Sequence, residues 1–95
     1  MKAAVVILNW NGIKFLEKYL PILVGHTPPA TGTVIVADNG STDGSVAMLK
    51  EKFPSVELIE FDRNYGFTGG YNRALAQIEA EYYVLINSDI RVSSG

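Results

Sequence analysis

The feature that most restricts this chain is its alternation of short, unbroken apolar runs with segments of helical spacing. Ala3 to Leu8 is a continuous, largely β-branched run, the pattern of a strand buried on both faces of a parallel sheet. Past Asn9 to Gly12, apolar residues recur at Ile13, Leu16, Leu20, Leu23 and Val24, a spacing that lays one helical stripe on such a sheet. Pro21 is expected to kink or end that helix, because it lacks a backbone donor and crowds the preceding turn. Thr33 to Ala37 then reads as a second strand, and a helix follows over roughly Thr42 to Phe53, stopped by Pro54. Val56 to Phe61 is the third strand. The glycine-rich stretch Gly66 to Gly70 leads into a helix over about Tyr71 to Ile78, and Tyr82 to Ile86 forms the fourth strand. The order β-α-β-α-β-α-β predicts an α/β fold, a Rossmann-like parallel sheet with right-handed crossovers.

At 95 residues there is room for one domain, and 47% hydrophobic against 19% charged residues supports a packed core. A net charge of −2 provides no electrostatic footprint for a phosphate backbone, so no nucleic-acid partner is expected. The absence of cysteine excludes disulfides, thiol nucleophiles and thiolate metal sites. The first apolar run is too short for a signal-peptide core, and no segment approaches the ~20 apolar residues of a membrane span. A cytoplasmic location is expected.

In a parallel sheet every loop that leaves a strand emerges on the carboxyl edge, where open α/β folds bind ligands. All four aspartates (Asp38, Asp43, Asp62, Asp89) and all six asparagines (Asn9, Asn11, Asn39, Asn64, Asn72, Asn87) fall after a strand or in the first turn of the next helix. Asp and Asn are ordinary turn and cap residues. Turn chemistry alone, however, would also place them in the return loops, and it does not. The asymmetry favours a polar site on the carboxyl edge.

Within the first loop, Asn9 and Asn11 offer amide donors and acceptors, and Trp10 offers either a stacking surface or a packing side chain. The loop lacks GxGxxG, which argues against dinucleotide binding. The second loop places Asp38, followed by Asn39, directly after a strand, where an acidic group can accept hydrogen bonds from a ribose or a base edge. Ser41 and Asp43 read as caps of the next helix. The third loop puts Gly66, Gly69 and Gly70, with Asn72, at a helix start suited to a diphosphate, with Arg63 and Arg73 nearby as phosphate partners or solvated side chains. In the fourth, Asn87 and Asp89 supply oxygen ligands two residues apart, enough for Mg²⁺ or Mn²⁺ bridged by a diphosphate and too few for a metal held by protein alone. His26, the sole histidine, lies toward the opposite edge and reads as a loop residue.

Together the segments VVILNWNG, VIVADNGSTDGS, NYGFTGGYNRALA and YVLINSDI resemble the start of a family 2 glycosyltransferase of the GT-A fold, with variants most similar to bacterial rhamnosyltransferase-like members. The resemblance implies a strand order of 3-2-1-4, with the nucleoside-diphosphate sugar, of UDP or dTDP type, lying across the carboxyl edge. It puts the base near Asn9 and Asp38, and Gly66 to Asn72 around the nucleotide. Asn87-Ser88-Asp89 stands where the family carries its Asp-x-Asp metal motif. Asn87 departs from that motif and leaves Asp89 as its one carboxylate. The implied reaction inverts the anomeric centre, and the acceptor is a hydroxyl of a glycan or a lipid-linked glycan. By the same resemblance, the full-length enzyme would sit in the cytoplasm, peripheral to the inner face of the membrane.

No catalytic base is visible, and the chain ends six residues after Asp89. Residues 1–95 are therefore read as the donor-binding part of a larger enzyme, inactive alone. The resemblance also implies that the missing half covers the side of the fourth strand, so the truncated chain is expected to self-associate. The alternative is a non-catalytic nucleotide-binding or oligomerising module of the same fold. A sugar nucleotidyltransferase would carry a basic, glycine-rich first loop, which NWNG is not.

Overall fold

The computed structural model describes residues 3–27 and 31–88. Four strands, β1 (Ala3–Asn9), β2 (Gly32–Asp38), β3 (Glu57–Glu60) and β4 (Tyr82–Asn87), alternate with helices α1 (Ile13–Gly25), α2 (Ser45–Lys52) and α3 (Gly66–Leu75). The strands form one sheet in the order β3-β2-β1-β4, and every pairing is parallel. The expected α/β class and strand order are both found.

The period of two in the central strands sorts their side chains into two cores. Val5, Ile7, Val34 and Val36 face α1 and α2, packing with Leu16, Leu20, Met48 and Leu49. Ala4, Val6, Leu8, Ile35 and Ala37 face α3, packing with Tyr71, Ala74 and Ile78. Burying each large side chain of these layers contributes about 1.5–3 kcal/mol. Since both faces of β1 and β2 are covered, their sequences are continuous and apolar instead of alternating.

Strand bounds differ from expectation by one residue at one or both ends, and each of the three helices departs further. Helix α1 runs through Pro21 to Gly25 and does not end there. Pro21 and Glu17, whose carbonyl loses its helical partner, both lie on the exposed face, so water can satisfy that carbonyl while buried Leu16 and Leu20 carry the helix across. Helix α2 starts at Ser45, not Thr42, because Gly44 adopts φ +87°, a left-handed conformation from which the helix cannot extend backwards. Helix α3 starts at Gly66, five residues before the expected Tyr71, and ends at Leu75. The glycine-rich segment is therefore its first turns and not a loop. A Cβ on Gly70 would lie 2.8 Å from Leu8 Cδ1 and 2.9 Å from Asn39 Nδ2, so the missing side chain is what lets α3 settle on β1.

Candidate functional site

The strand ladder continues briefly past the carboxyl edge and brings the loops together. Asn39 N–H donates to Asn9 O (2.7 Å), Phe61 N–H to Asp38 O (2.8 Å) and Ser88 N–H to Leu8 O (3.0 Å). On this base the polar side chains interlock. Asn9 is fully buried and Asp38 nearly so; Asn9 Nδ2 donates to Asp38 Oδ1 at 2.9 Å and to Ser41 Oγ at 3.2 Å. The other Asp38 oxygen accepts from Ser41 N–H at 2.9 Å. Ser41 does not cap α2 as expected; its hydroxyl accepts from the Asn11 backbone N–H at 2.9 Å and so joins the first loop to the second.

Asn11 closes the same junction from the other side. Its backbone takes φ 52°, a left-handed conformation that asparagine tolerates better than most residues, and its side-chain oxygen accepts from Thr42 N–H at 2.7 Å. Asp43 acts at two helix starts, not one. One carboxylate oxygen accepts from Ile13 N–H, the first residue of α1, at 3.0 Å. The other accepts from Ser45 N–H, the first residue of α2, at 3.0 Å and from the Ser45 hydroxyl. Burial is the largest single influence and pushes the Asp43 carboxyl up, but these hydrogen bonds together outweigh it and hold the group below its ordinary value.

Asn39 does for the third loop what Asp43 does for the first. Nearly buried, it accepts from Tyr65 N–H at 2.9 Å and donates to Gly66 O at 3.0 Å and Asn64 Oδ1 at 3.2 Å. Asn64 Oδ1 also accepts from Gly66 N–H at 2.7 Å, which satisfies an otherwise orphaned donor of the α3 start. Among the described residues no buried side-chain nitrogen or oxygen lacks a partner.

Above this buried layer lies a cleft of about 150 Å³ lined by Leu8, Trp10, Asn39, Asn64, Gly66, Phe67 and Asn87. Typical small-molecule pockets run to about 300–1,000 Å³, so this cleft is smaller than one that encloses a whole drug-sized ligand. Trp10 and Phe67 are 45% and 59% exposed and present flat surfaces at its rim, which settles Trp10 as a surface aromatic. The sequence does not single out Phe67 and Asn64 as contacts, although Phe67 falls in the Gly66 to Asn72 stretch and Asn64 among the carboxyl-edge asparagines. Phe67 stands in step with Tyr71, Ala74 and Ile78, the buried stripe of this segment, and its ring packs edge-on to Tyr71 at 5.0 Å, so its spacing reads as core and conceals its exposure at the cleft. Of the expected site residues, Asn39, Gly66 and Asn87 reach the cleft wall. Asn9 and Asp38 lie beneath it, Asn11 braces the second loop, and Gly69, Gly70 and Asn72 sit within α3.

Arg63 and Arg73 both stack on the Tyr65 ring, with guanidinium carbons 5.1 and 3.8 Å from its centre, and neither lines the cleft. The Tyr65 hydroxyl donates to Asp62 and holds that carboxyl below its usual range, with the two arginine charges adding to the effect.

The matches to known proteins follow this architecture. The family described as Glycosyl transferase family 2 matches residues 4–95, nearly the whole chain. The chain belongs to that family. Among curated relatives of this family 2 chain, an N-acetylglucosaminyl-diphospho-decaprenol L-rhamnosyltransferase of Mycobacterium tuberculosis is 34% identical over 74 residues, 78% of this chain and 24% of the relative. The glycosyltransferase YfnE of Bacillus subtilis, itself uncharacterized, is 34% identical over 92 residues, 95% of this chain and 24% of the relative. Among solved structures, S. aureus TarS 1-349 in complex with UDP-GlcNAc superposes with TM-score 0.80 at 26% identity, covering 94% of this chain and 27% of TarS. The mannosyltransferase PcManGT from Pyrobaculum calidifontis, in complex with GDP-Man and Mn²⁺, has the same fold (TM-score 0.80, 24% identity, 93% of this chain and 27% of that one). This family 2 chain thus has the GT-A fold and spans about a quarter of the length of these relatives.

Asp89, the expected metal ligand of the family 2 motif, lies outside the described residues. Among the described residues no group of three His, Asp or Glu side chains could hold a metal. Asn87 is half-buried at the cleft wall. A single amide oxygen there suits an ion that phosphate oxygens complete, not one caged by protein. No described helix is long and apolar enough to cross a membrane.

Proposed function

We propose that this chain is the donor-binding part of an inverting glycosyltransferase that takes a sugar from a nucleoside diphosphate of UDP or dTDP type to a hydroxyl of a glycan or lipid-linked acceptor. The observation that carries the reading is the carboxyl-edge cleft, with exposed aromatics on its rim and amides in its wall, in a chain of family 2. Trp10 and Phe67 provide faces for a base or sugar to stack on. The amides of Asn64 and Asn87 provide polar contacts that set its orientation, while Asn39, its amide hydrogens committed to Gly66 and Asn64, holds the wall in place. Buried Asn9 and Asp38, with half-buried Ser41 and Asp43, keep the loops from rearranging, so little freedom is lost on binding.

Mg²⁺ or Mn²⁺ would be held by Asp89 with Asn87 beside it and diphosphate oxygens completing the shell, and would stabilise negative charge on the leaving nucleoside diphosphate. The acceptor base lies on no residue of this chain. Work in the cytoplasm, peripheral to the inner face of the membrane, fits a lipid-linked acceptor and a soluble donor.

Trp10 is the sole tryptophan and lines the cleft, so its fluorescence reports binding directly. UDP and dTDP, titrated with Mn²⁺ and with chelator, are expected to quench it, more tightly with the metal, while GDP binds less well. An unchanged Trp10 signal at millimolar UDP and dTDP, with no heat of binding by calorimetry, would overturn the reading.

A further inference from the structure

One buried side chain touches three of the four loops that meet at this site. The Asn9 amide has two donor hydrogens and two acceptor lone pairs, and all four are engaged. Besides its bonds to Asp38 and Ser41, its oxygen accepts from Gly12 N–H at 3.2 Å and from the Ser88 hydroxyl at 2.7 Å. Ser88 is itself 6% exposed, and its backbone N–H is fixed to Leu8 O at 3.0 Å. The fourth loop is therefore tied to the end of β1 twice, once through backbone and once through a side chain.

Gly12 closes over this junction. A Cβ there would stand 2.5 Å from Ser88 Oγ and 2.6 Å from Asn9 Oδ1, so the position leaves no room for any side chain without breaking the contact. Ser88 occupies the middle of Asn87-Ser88-Asp89, between the two residues that offer oxygen ligands, and its hydroxyl hydrogen is donated to Asn9 beneath the cleft. Its role is distinct from theirs.

We propose that Asn9 and Ser88 are positioning residues: the chain Ser88–Asn9–Asp38 sets the register of the fourth loop against the second, and so places the metal and diphosphate end of the donor relative to its nucleoside end. The inference rests on the donor-site reading given above. It assigns Asn9 a role beneath the ligand in place of direct contact with it. Removing the Ser88 hydroxyl leaves the fourth loop with its backbone tie alone, while Asp38, Asn39 and the aromatic rim stay where they are. The effect should fall on metal-assisted binding more than on nucleoside recognition.

The test compares UDP affinity in MnCl₂ and in EDTA for the wild-type chain, Ser88→Ala and Gly12→Ala, with folding checked by circular dichroism. Gly12→Ala keeps the hydroxyl but pushes it off Asn9, so it separates the contact from the mere presence of the serine. In both variants the gain in affinity on adding Mn²⁺ is expected to shrink at least fivefold, while affinity in EDTA falls less than threefold. A purely structural role would lower both affinities alike or only the melting temperature. A folded Ser88→Ala chain that keeps the full Mn²⁺ gain overturns the positioning role and leaves the donor site standing. A wild-type chain that binds UDP with no Mn²⁺ gain also overturns the positioning role, whereas one that binds no UDP in either medium overturns the donor-site reading as well.

Discussion

Replacing Asp43 with alanine removes one carboxylate that starts two helices. The side chain accepts the first N–H of α1 and the first N–H of α2 through different oxygens, and each bond serves a donor left without a partner inside its helix. Loss of one capping side chain typically costs about 1 kcal/mol, so loss of both costs about 2 kcal/mol, with the carboxylate's interaction with two helix dipoles adding a few tenths more. For a domain of this size about 2 kcal/mol lowers the melting temperature by about 8–16 °C. Asp43→Asn retains one acceptor oxygen and should lose about half as much. Because the carboxyl is held below its ordinary value in the folded chain, its contribution is complete above the unfolded value of about 3.9 and is lost as pH falls through the lower folded value. The gap between wild type and Asp43→Ala should therefore be constant from neutral pH down to about 5 and close below about 4. Urea unfolding followed by far-ultraviolet circular dichroism measures both. An Asp43→Ala chain within about 0.5 kcal/mol of wild type at neutral pH, the scatter of ordinary surface changes, would refute the double cap.

Gly70→Ala adds a methyl 2.8 Å from Leu8 Cδ1, and overpacking of about 1–3 kcal/mol should exceed the ~1 kcal/mol of helix propensity gained. Gly69→Ala meets nothing nearer than 3.4 Å and should raise stability by about 0.5–1 kcal/mol; thermal melts of the two variants check the opposite signs. Asp38→Ala strips the acceptor from buried Asn9 Nδ2 and from Ser41 N–H. A stability loss of about 1–3 kcal/mol should accompany any loss of nucleotide affinity, and denaturant unfolding beside calorimetry tests whether the two travel together. Val84 and Leu85 are 49% and 48% exposed on β4, so the 95-residue chain should associate as its concentration rises, and Val84→Lys should reduce this without unfolding it, as read by sedimentation equilibrium.

What the sequence disclosed and what it concealed divide along physical lines. The central strands were legible because Val, Ile, Leu and Ala buried on two faces leave continuous apolar runs that no surface helix shows. The gathering of Asn and Asp at one edge was legible for the same reason of topology. The start of α3 was not, because glycine opposes helix formation locally and the close approach of Gly70 to Leu8 that offsets it is a tertiary fact. The double duty of Asp43 was hidden by the separation of Ile13 and Asp43, 30 residues apart. The burial of Asn9 and Asp38 was hidden as well, since residues that brace a site and residues that touch its ligand are drawn from the same polar types.

The two edges of the sheet are guarded unequally. Exposed Glu57 and Glu60 bound β3, and Glu60 pairs with Lys50 at 3.3 Å, whereas β4 exposes Tyr82, Tyr83, Val84 and Leu85 with no charge among them. Charged side chains on an edge discourage another chain from pairing there. Two copies meeting at β4 about a two-fold axis would merge their four-stranded sheets, and both outer borders of the merged sheet would be β3. Among the described residues, the margin left without charge would be consumed by the first encounter. Assembly of this kind would be self-limiting, closing as a symmetric pair and not growing into a filament.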